Sequence, residues 1–492
     1  MMTYDYQKTS IVELANQIIL YAAKNRASDI HFDPREDGLL VRVRIDGLLQ
    51  DHTLVPKEYE RNLVTRLKLM ANMNITENRL PQDGAIKGRI GSQDMDMRVS
   101  ALPTNEGEKI VVRILDYSQS MEGIDKLGFS KENFEKLQKM ISVPNGIILI
   151  TGATGTGKST TVYSILQELN KETTNIITVE DPIEMNIEGI NQVQVNSDIG
   201  LTFATVLRSI LRQDPNIILI GEIRDTETAK IAVRASITGH LVLSTIHTNN
   251  SLATIERLLD MDVERYLLSS ALTGIISQRL VRTLCPVCRT VRDATAYEKK
   301  VFKIVLNQDI TKIYDAGDGC DECHDGYHGR TAIQEVLMIN DTIRDALNTP
   351  SITKDELRKL VYHGDVITML QDALAKVLDG STSFDEVYKA IDIEDDMVEQ
   401  YGTEVVKQDD AIIVPTVERE DVIIDTSLQK INTPLPVKEE KKNSDVVKEE
   451  DFIKPVVVEV PEIQKQPTIK ETIPSQTSEV LEPVVIPKEE IL

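Results

Sequence analysis

Aromatic residues and positive charge are both scarce in this chain of 492 residues. It has no Trp and only seven Phe, and 55 Lys and Arg stand against 79 Asp and Glu, a formal net charge of −24. Broad binding to nucleic acid needs clustered Lys and Arg, and single strands also need aromatic side chains for base stacking. The composition therefore disfavours a nucleic-acid-binding protein, and we expect no nucleic-acid partner.

Long hydrophobic runs are absent as well. No stretch of about 18 uncharged apolar residues occurs, and the first ten residues, MMTYDYQKTS, lack the basic and apolar pattern of a secretory signal. We therefore predict a cytoplasmic protein without a membrane span. If it acts at a membrane, another protein must recruit it.

Cysteine is limited to four residues in two close pairs, CPVC and CDEC. Two pairs of this spacing suit tetrahedral thiolate coordination of zinc in a reducing compartment, and four sulfur ligands leave no open position for catalysis. The pattern predicts a structural zinc site. Its predicted ligands are Cys285, Cys288, Cys320 and Cys323.

The length suggests two or three domains. Helical and alternating patterns predict a small α+β domain over residues 1–116, followed by a linker over 117–143. Four apolar runs then alternate with helical patterns, which predicts a parallel sheet with helices on both faces. These runs are IILI at 147–150, IITV at 176–179, IILI at 217–220 and LVLS at 241–244. We assign the α/β core to 144–280, the cysteine-bearing element to 281–335, a helical region to 336–402 and a tail to 403–492.

The tail differs in composition from the rest of the chain. Residues 403–492 contain no Gly, half of the 18 Pro and an excess of acidic over basic side chains. Such a composition without helical period predicts an extended, disordered tail. Its short apolar clusters are candidate docking segments, and its acidic charge suits a partner with a basic surface; a purely solubilising tail is the equal alternative.

A phosphate-binding loop follows the first apolar run. GATGTGKST at 152–160 has two glycines five residues apart, followed by Lys and Ser. Glycines let backbone N–H groups turn toward a phosphate, and the following helix presents the positive end of its dipole. In this pattern Lys158 reaches the β- and γ-phosphates, and Ser159 ligates Mg²⁺. The predicted nucleotide ligands are Gly152, Ala153, Thr154, Gly155, Thr156, Gly157, Lys158, Ser159 and Thr160.

Acidic and histidine side chains follow the other apolar runs. Glu222 follows the run at 217–220 after Gly221, Glu180 comes directly after the run at 176–179, and His240 and His247 flank the strand around 241–244. Ligands bind at the carboxyl edge of such sheets, so the carboxylates are candidates for metal binding or for activating water. We predict His240 and His247 to sense or relay charge at the γ-phosphate.

These motifs resemble those of the secretion ATPases of type II secretion and type IV pilus assembly. GATGTGKST resembles the Walker A loop, TVEDPIE the Asp box, ILIGEIRD the Walker B motif and STIHTNN the His box. Upstream, ASDIHFDP, RVRIDG, LPQDG and RVSALPTNEGEKIVVRILD also match. The resemblance covers about residues 10 to 395, and the order and spacing of the motifs agree.

The resemblance implies a PAS-like N-terminal domain joined to a RecA-like P-loop NTPase core in a homohexamer. It also implies Mg-dependent ATP hydrolysis, with Arg98 and Arg113 of the clasping domain acting on phosphate charge. Glu180 would take the catalytic-base role and Glu222 the Walker B role, although the sequence itself does not separate the two. The chain departs from the family at Ala85, where many relatives have Arg. We also expect it to be a short form without the extra N-terminal docking domain of longer members.

The function that this resemblance implies is a motor at the inner face of the cell membrane. ATP hydrolysis would drive extension of a pilus, pseudopilus or competence-type filament through an inner-membrane platform protein. The tetracysteine element favours assembly or secretion, because the retraction branch of the family typically lacks it. A retraction motor and a nucleic-acid translocase on the same core remain alternatives.

Overall fold

The computed structural model describes residues 2–90, 93–115 and 123–401. The predicted tail at 403–492 and the start of the predicted linker, up to residue 122, lie outside these ranges. Within them, no helix is long and apolar enough to cross a membrane.

The N-terminal domain is a six-stranded antiparallel sheet with two helices packed on one face. A capping box between Ser10 and Glu13 starts the first helix, as the sequence pattern predicts. Apolar side chains from all six strands and from both helices form one core between the sheet and the helices. Its elements are α1 (Ile11–Lys24), β1 (Ala27–Arg35), β2 (Gly38–Ile45), β3 (Leu48–Pro56), α2 (Lys57–Met70), β4 (Gln82–Ile90), β5 (Gln93–Thr104) and β6 (Gly107–Leu115). The strand order is β3-β2-β1-β6-β5-β4.

The second part of the chain is an α/β core followed by a mostly helical region. A 3-10 turn at Ile124–Lys126 precedes it, and a second lies at Ser197–Ile199. Its first elements are α3 (Lys131–Ile141), β7 (Gly146–Thr151), α4 (Lys158–Leu169), β8 (Ile176–Glu180), β9 (Asn191–Gln194), α5 (Phe203–Ile210), β10 (Ile217–Ile220), α6 (Thr226–Ile237), β11 (Leu241–Ile246), α7 (Ser251–Asp260) and α8 (Arg265–Ala271). Its later elements are β12 (Leu272–Leu284), β13 (Thr290–Asp293), α9 (Ala296–Leu306), β14 (Lys312–Asp315), β15 (Tyr327–Met338), α10 (Asp341–Asn348), α11 (Lys354–Tyr362), α12 (Met369–Leu378), α13 (Phe384–Ala390) and α14 (Ile393–Tyr401).

The central sheet has seven strands in the order β15-β12-β7-β11-β10-β8-β9, and all neighbours are parallel except β12 and β15. The four predicted apolar runs form β7, β8, β10 and β11. Side chains alternate between the two faces of a strand, so Ile147 and Leu149 enter one core, whereas Ile148 and Ile150 enter the other. Both faces are covered by helices, as the apolar runs predict.

The predicted boundary at residue 280 falls inside a strand. β12 continues to Leu284, and β15, which begins within the predicted cysteine-bearing element, is the edge strand of the central sheet. β13 and β14 pair with each other as a small antiparallel sheet. The cysteine-bearing element is therefore an insertion between two paired strands of the core, which attaches it to the central sheet.

Candidate functional site

The phosphate-loop pattern lies between β7 and α4, at the carboxyl edge of the central sheet. Gly155 and Gly157 adopt φ values of 82° and 85°, which favour glycine. Lys158 Nζ donates to the carbonyl oxygens of Gly152 and Ala153, at 2.9 Å each, so the loop curls around this side chain. Burial lowers the pKa of Lys158, and the nearby Glu222 carboxylate opposes that shift. The ammonium therefore occupies a partly desolvated position suited to phosphate.

A cavity of about 900 Å³ opens over this loop. Gln278 of β12 braces the loop from below: its Nε2 donates to the carbonyl of Thr156 at 2.7 Å, and its Oε1 accepts from Thr161 at 2.9 Å. Nothing in the sequence singled out Gln278. The loop and helix residues that line the cavity are Thr154, Gly155, Gly157, Lys158, Ser159, Thr160, Thr161, Val162 and Tyr163.

Two carboxylates meet the cavity from neighbouring strands. β8 and β10 pair in parallel, which places Glu180 and Glu222 at the same edge. Glu180 is buried, and its carboxylate accepts hydrogen bonds from Thr178 Oγ1 at 2.5 Å, from Gln192 Nε2 at 3.1 Å and from the Tyr163 hydroxyl. These three donors fix the position of the carboxylate.

Glu222 is held differently from Glu180. It pairs with Arg224, and its Oε2 lies 3.4 Å from His247 Nε2. All three side chains line the cavity, so the Walker B acid and the His box histidine face the same space as Lys158. The structure thus brings together residues from motifs separated by up to 95 positions in the sequence.

His240 does not reach this space. It precedes β11, whereas His247 follows it, and a strand of this length separates its two ends by about 20 Å. His240 Nδ1 contacts the carbonyl of Ala235 at 2.9 Å, at the amino edge of the sheet. The predicted role of His240 at the nucleotide is therefore corrected: parallel strands put all their amino ends at the edge opposite the phosphate loop.

The N-terminal domain contributes side chains to the same cavity. Arg113 lines it and donates from Nε to Asp29 Oδ1 at 2.9 Å. Arg98 takes another position: its Nη2 donates to the carbonyl of Ile183 at 3.0 Å and lies 2.8 Å from Glu184 Oε2. Arg113 is thus placed to meet a phosphate, whereas Arg98 bridges the two domains.

Sequence reasoning missed three side chains of the N-terminal domain that line the cavity, Ser28, Asp29 and Arg44. All three occur within segments that carry the family resemblance, ASDIHFDP and RVRIDG, so a signal was present. Tyr163, which holds Glu180, occupies an ordinary helix position in α4, and only the fold reveals its role.

The four cysteines form a compact cluster. Their sulfur atoms all lie within 4.8 Å of one another, with Sγ–Sγ distances of 3.7 Å for Cys285–Cys320 and 3.6 Å for Cys288–Cys323. Tetrahedral zinc with Zn–S bonds of about 2.3 Å separates its sulfur ligands by about 3.8 Å. The donor set and its dimensions therefore fit zinc. The backbone N–H of Cys285 also donates to Gly326 at 2.8 Å, which ties the two cysteine loops together.

Residues 5–389 match the family model described as Type II/IV secretion system protein. The chain belongs to this family. It is 47% identical over 384 residues to the type II secretion system protein E of Dickeya dadantii, covering 77% of this chain and 75% of that protein. It is 44% identical over 389 residues to the type IV pilus assembly ATPase PilB of Myxococcus xanthus, covering 77% of this chain and 67% of that protein.

Solved structures agree with the secretion-family fold. The ATPase DotB of Legionella pneumophila superposes with a TM-score of 0.57 at 21% identity, over 78% of this chain and 96% of that chain. The predicted fold class, an α/β P-loop core preceded by a sheet domain, is therefore confirmed. So is the prediction of an ATPase of the secretion and pilus assembly family.

Proposed function

We propose that this secretion-family ATPase binds Mg-ATP in the cavity between its two domains and couples hydrolysis to domain closure. The observation that carries the proposal is convergence on one cavity of the phosphate loop, two carboxylates, His247 and Arg113. These groups come from both domains. Closure over nucleotide would therefore complete the site, and hydrolysis would release it.

Each side chain has a role that follows from its position. Lys158 would neutralise the β- and γ-phosphates, and Ser159 would ligate Mg²⁺, with Glu222 holding the ion through water. Bound Mg²⁺ supplies charge neutralisation at the phosphates. Arg113 would stabilise charge that spreads over the transferred phosphoryl group. His247, against Glu222, would report the presence of the γ-phosphate.

Glu180 and Glu222 divide two tasks that the sequence leaves open. The charge of Glu222 acts on Lys158, and its carboxylate pairs with Arg224 at the cavity, which suits a metal-associated acid. Glu180 is buried and hydrogen-bonded at both oxygens, so its position is fixed, which suits a base that orients and deprotonates water. We therefore assign the base role to Glu180.

We further propose that the cysteine cluster holds one structural zinc ion. Four thiolates close the coordination shell, so the ion would stabilise the insertion between β12 and β15 and take no part in hydrolysis. His324 and His328 are close in sequence but are not needed as ligands.

The family relationship supports a homohexamer working with an inner-membrane platform protein at the cytoplasmic face of the membrane. Relatives named for type II secretion and for type IV pilus assembly are about equally similar in identity, 47% and 44%. We therefore propose filament extension, of a pilus or pseudopilus, without choosing a cargo. The cysteine cluster supports extension over retraction.

ATP hydrolysis by the purified full chain tests the nucleotide site. Lys158→Ala should lower kcat by at least about 100-fold, because the main phosphate-neutralising charge is lost. Lys139→Ala, which removes an exposed charge on α3, is the matched control and should retain wild-type hydrolysis. A Lys158→Ala protein that hydrolyses ATP at the wild-type rate would show that the activity lies elsewhere.

A further inference from the structure

Three arginines and one aspartate form a continuous row across four strands of the N-terminal sheet. Asp29 on β1 stands directly opposite Arg44 on β2 and Arg113 on β6, and Arg113 stands opposite Arg98 on β5. The row ends at Ala85 on β4, which is opposite Arg98. Directly opposed residues of antiparallel strands share a face, so all these side chains project from the face that is not covered by α1 and α2.

The row places like charges next to each other. Cross-strand pairs of like charge destabilise a sheet, and Arg98 and Arg113 are such a pair. Each of the two is instead paired with a carboxylate: Arg98 with Glu184 of the other domain, and Arg113 with Asp29. Only Asp29 belongs to the row itself, and it is also the least exposed of these acids.

Asp29 contacts two arginines at once. Its Oδ1 accepts from Arg113 Nε at 2.9 Å, its Oδ2 lies 3.6 Å from Arg44 Nε, and Oδ2 also accepts from the Ser28 hydroxyl at 2.8 Å. The Asp29 side chain is 9% exposed, whereas those of Arg44 and Arg113 are 35% and 61% exposed. A buried anion therefore anchors two cations whose ends extend into the cavity.

The nitrogen used in these contacts matters. Both arginines approach Asp29 through Nε, the inner nitrogen of the guanidinium group, so these contacts do not use the outer nitrogens. One outer nitrogen of Arg44 donates to the carbonyl of Gly47 at 2.9 Å, which holds this side chain from the far end. A guanidinium fixed in this way retains outer N–H donors for a phosphate, and those donors pair with phosphate oxygens in a planar fork.

We propose that Asp29 is a positioning residue for ATP hydrolysis, which holds Arg44 and Arg113 side by side over the phosphates. This inference rests on the proposed nucleotide site. Asp29 acts through the two arginines and not on the phosphates, which its own negative charge would repel. Its contribution should therefore disappear once both arginines are removed.

The same strand offers a matched control. Asp33, also on β1 and projecting from the same face, pairs with Arg42 of β2 and Lys109 of β6. It too is largely buried, at 13% exposure. Among the described residues, neither Asp33 nor its two partners line the cavity. Asp33→Asn thus removes an equivalent charge from an equivalent environment away from the nucleotide.

The test is steady-state ATP hydrolysis by the full-length chain, with thermal unfolding as a check on folding. Asp29→Asn should lower kcat about tenfold or more. A phosphate-directed arginine contributes about 10³-fold or more to kcat, and this substitution misaligns the arginines without removing them. KM for ATP should change less. Asp33→Asn should retain wild-type kcat even if its thermal midpoint falls as far as that of Asp29→Asn.

Introducing Asp29→Asn into an Arg44→Ala/Arg113→Ala chain separates positioning from a structural effect. The proposal expects no further loss of kcat in that background. The same tenfold loss there, or wild-type kcat in the Asp29→Asn single variant, would overturn it. If Asp29→Asn does not fold, Ser28→Ala loosens the same carboxylate, and a several-fold loss confined to the wild-type background is expected.

The outcomes also separate this inference from the proposed nucleotide site. Loss of hydrolysis in Lys158→Ala together with unchanged kcat in Asp29→Asn would reject the role of Asp29 alone. Wild-type hydrolysis in Lys158→Ala would reject the nucleotide site itself. Wild-type kcat in the Arg44→Ala/Arg113→Ala chain would reject the arginine pair and, with it, the positioning role.

Discussion

Arg98 and Glu184 join the N-terminal domain to the core beside the cavity over the phosphate loop, with 2.8 Å between Arg98 Nη2 and Glu184 Oε2. The arginine belongs to β5 of the N-terminal domain, and the glutamate follows β8 of the core. The same Arg98 nitrogen donates to the neighbouring carbonyl of Ile183. Arg98, which the sequence predicts to act on phosphate, therefore forms a contact between the two domains in this structure.

Exchanging the two charges tests this contact. A half-exposed ion pair contributes about 0.5–1 kcal/mol. Arg98→Glu or Glu184→Arg alone replaces that attraction with repulsion, so each should lower kcat/KM for ATP about three- to tenfold. The double exchange should recover most of the loss. Steady-state ATPase assays provide the measurement. If the fold-losses in kcat/KM of the two single variants multiply in the double variant, Arg98 acts on the nucleotide directly.

Tyr163 should matter for the chemical step through Glu180. Its hydroxyl donates to Glu180 and accepts from the backbone N–H of Glu184 at 3.0 Å. Burial and the adjacent carboxylate raise the pKa of Tyr163, so the phenol stays protonated and remains a donor. Tyr163→Phe releases one oxygen of the base and should lower kcat about tenfold while leaving KM within about twofold. A change in KM alone would contradict the assignment of Glu180 as base.

The cysteine cluster predicts one zinc ion per chain in purified protein. Cys320→Ser should lose that zinc and lower the thermal midpoint, because three remaining thiolates bind more weakly and the insertion loses its crosslink. His324→Ala is the control and should keep full zinc content. Elemental analysis and thermal unfolding give both readouts. Full zinc in Cys320→Ser, or loss of zinc in His324→Ala, would revise the ligand set.

A buried ion pair next to the cysteine loops predicts a pH-dependent contribution to stability. Burial would raise the pKa of Glu386, but hydrogen bonds from Arg282, including one of 2.7 Å from Nη2, outweigh it and hold the pKa below the ordinary 4.5. The stabilisation is therefore present above pH 4.5 and is lost as the pH falls through the lowered pKa.

Glu386→Gln should accordingly destabilise the protein at pH 7, by about 1–3 kcal/mol, and the difference from wild type should shrink below pH 4.5. Thermal midpoints at pH 7, 5 and 4 provide the measurement. Glu135→Gln, on the exposed face of α3, is the control and should follow wild type at every pH. A difference that is constant across this range would assign the effect to packing instead.

Much of the fold could be predicted because its signals are local. The four apolar runs became four parallel strands, since short runs of branched residues bounded by turns are stable when both faces are buried. The phosphate loop was equally clear: Gly155 and Gly157 take backbone angles that other residues avoid, so the chemistry dictates the residue type. The clustering of the four cysteines was likewise predictable, because two close pairs of this spacing are typical of a zinc site.

Long-range geometry accounts for what the sequence left open. His240 and His247 look equivalent as residues flanking one apolar run, but strand direction sends them to opposite edges of the sheet. Arg98 and Arg113 look equivalent as arginines within one matched segment, yet one reaches Glu184 and the other Asp29. The sequence by itself determined the phosphate loop, the parallel core and the cysteine set, because each depends on neighbours along the chain. Only the tertiary structure decided which histidine, arginine and tyrosine meet the cavity, because that depends on strand register and on contacts between domains.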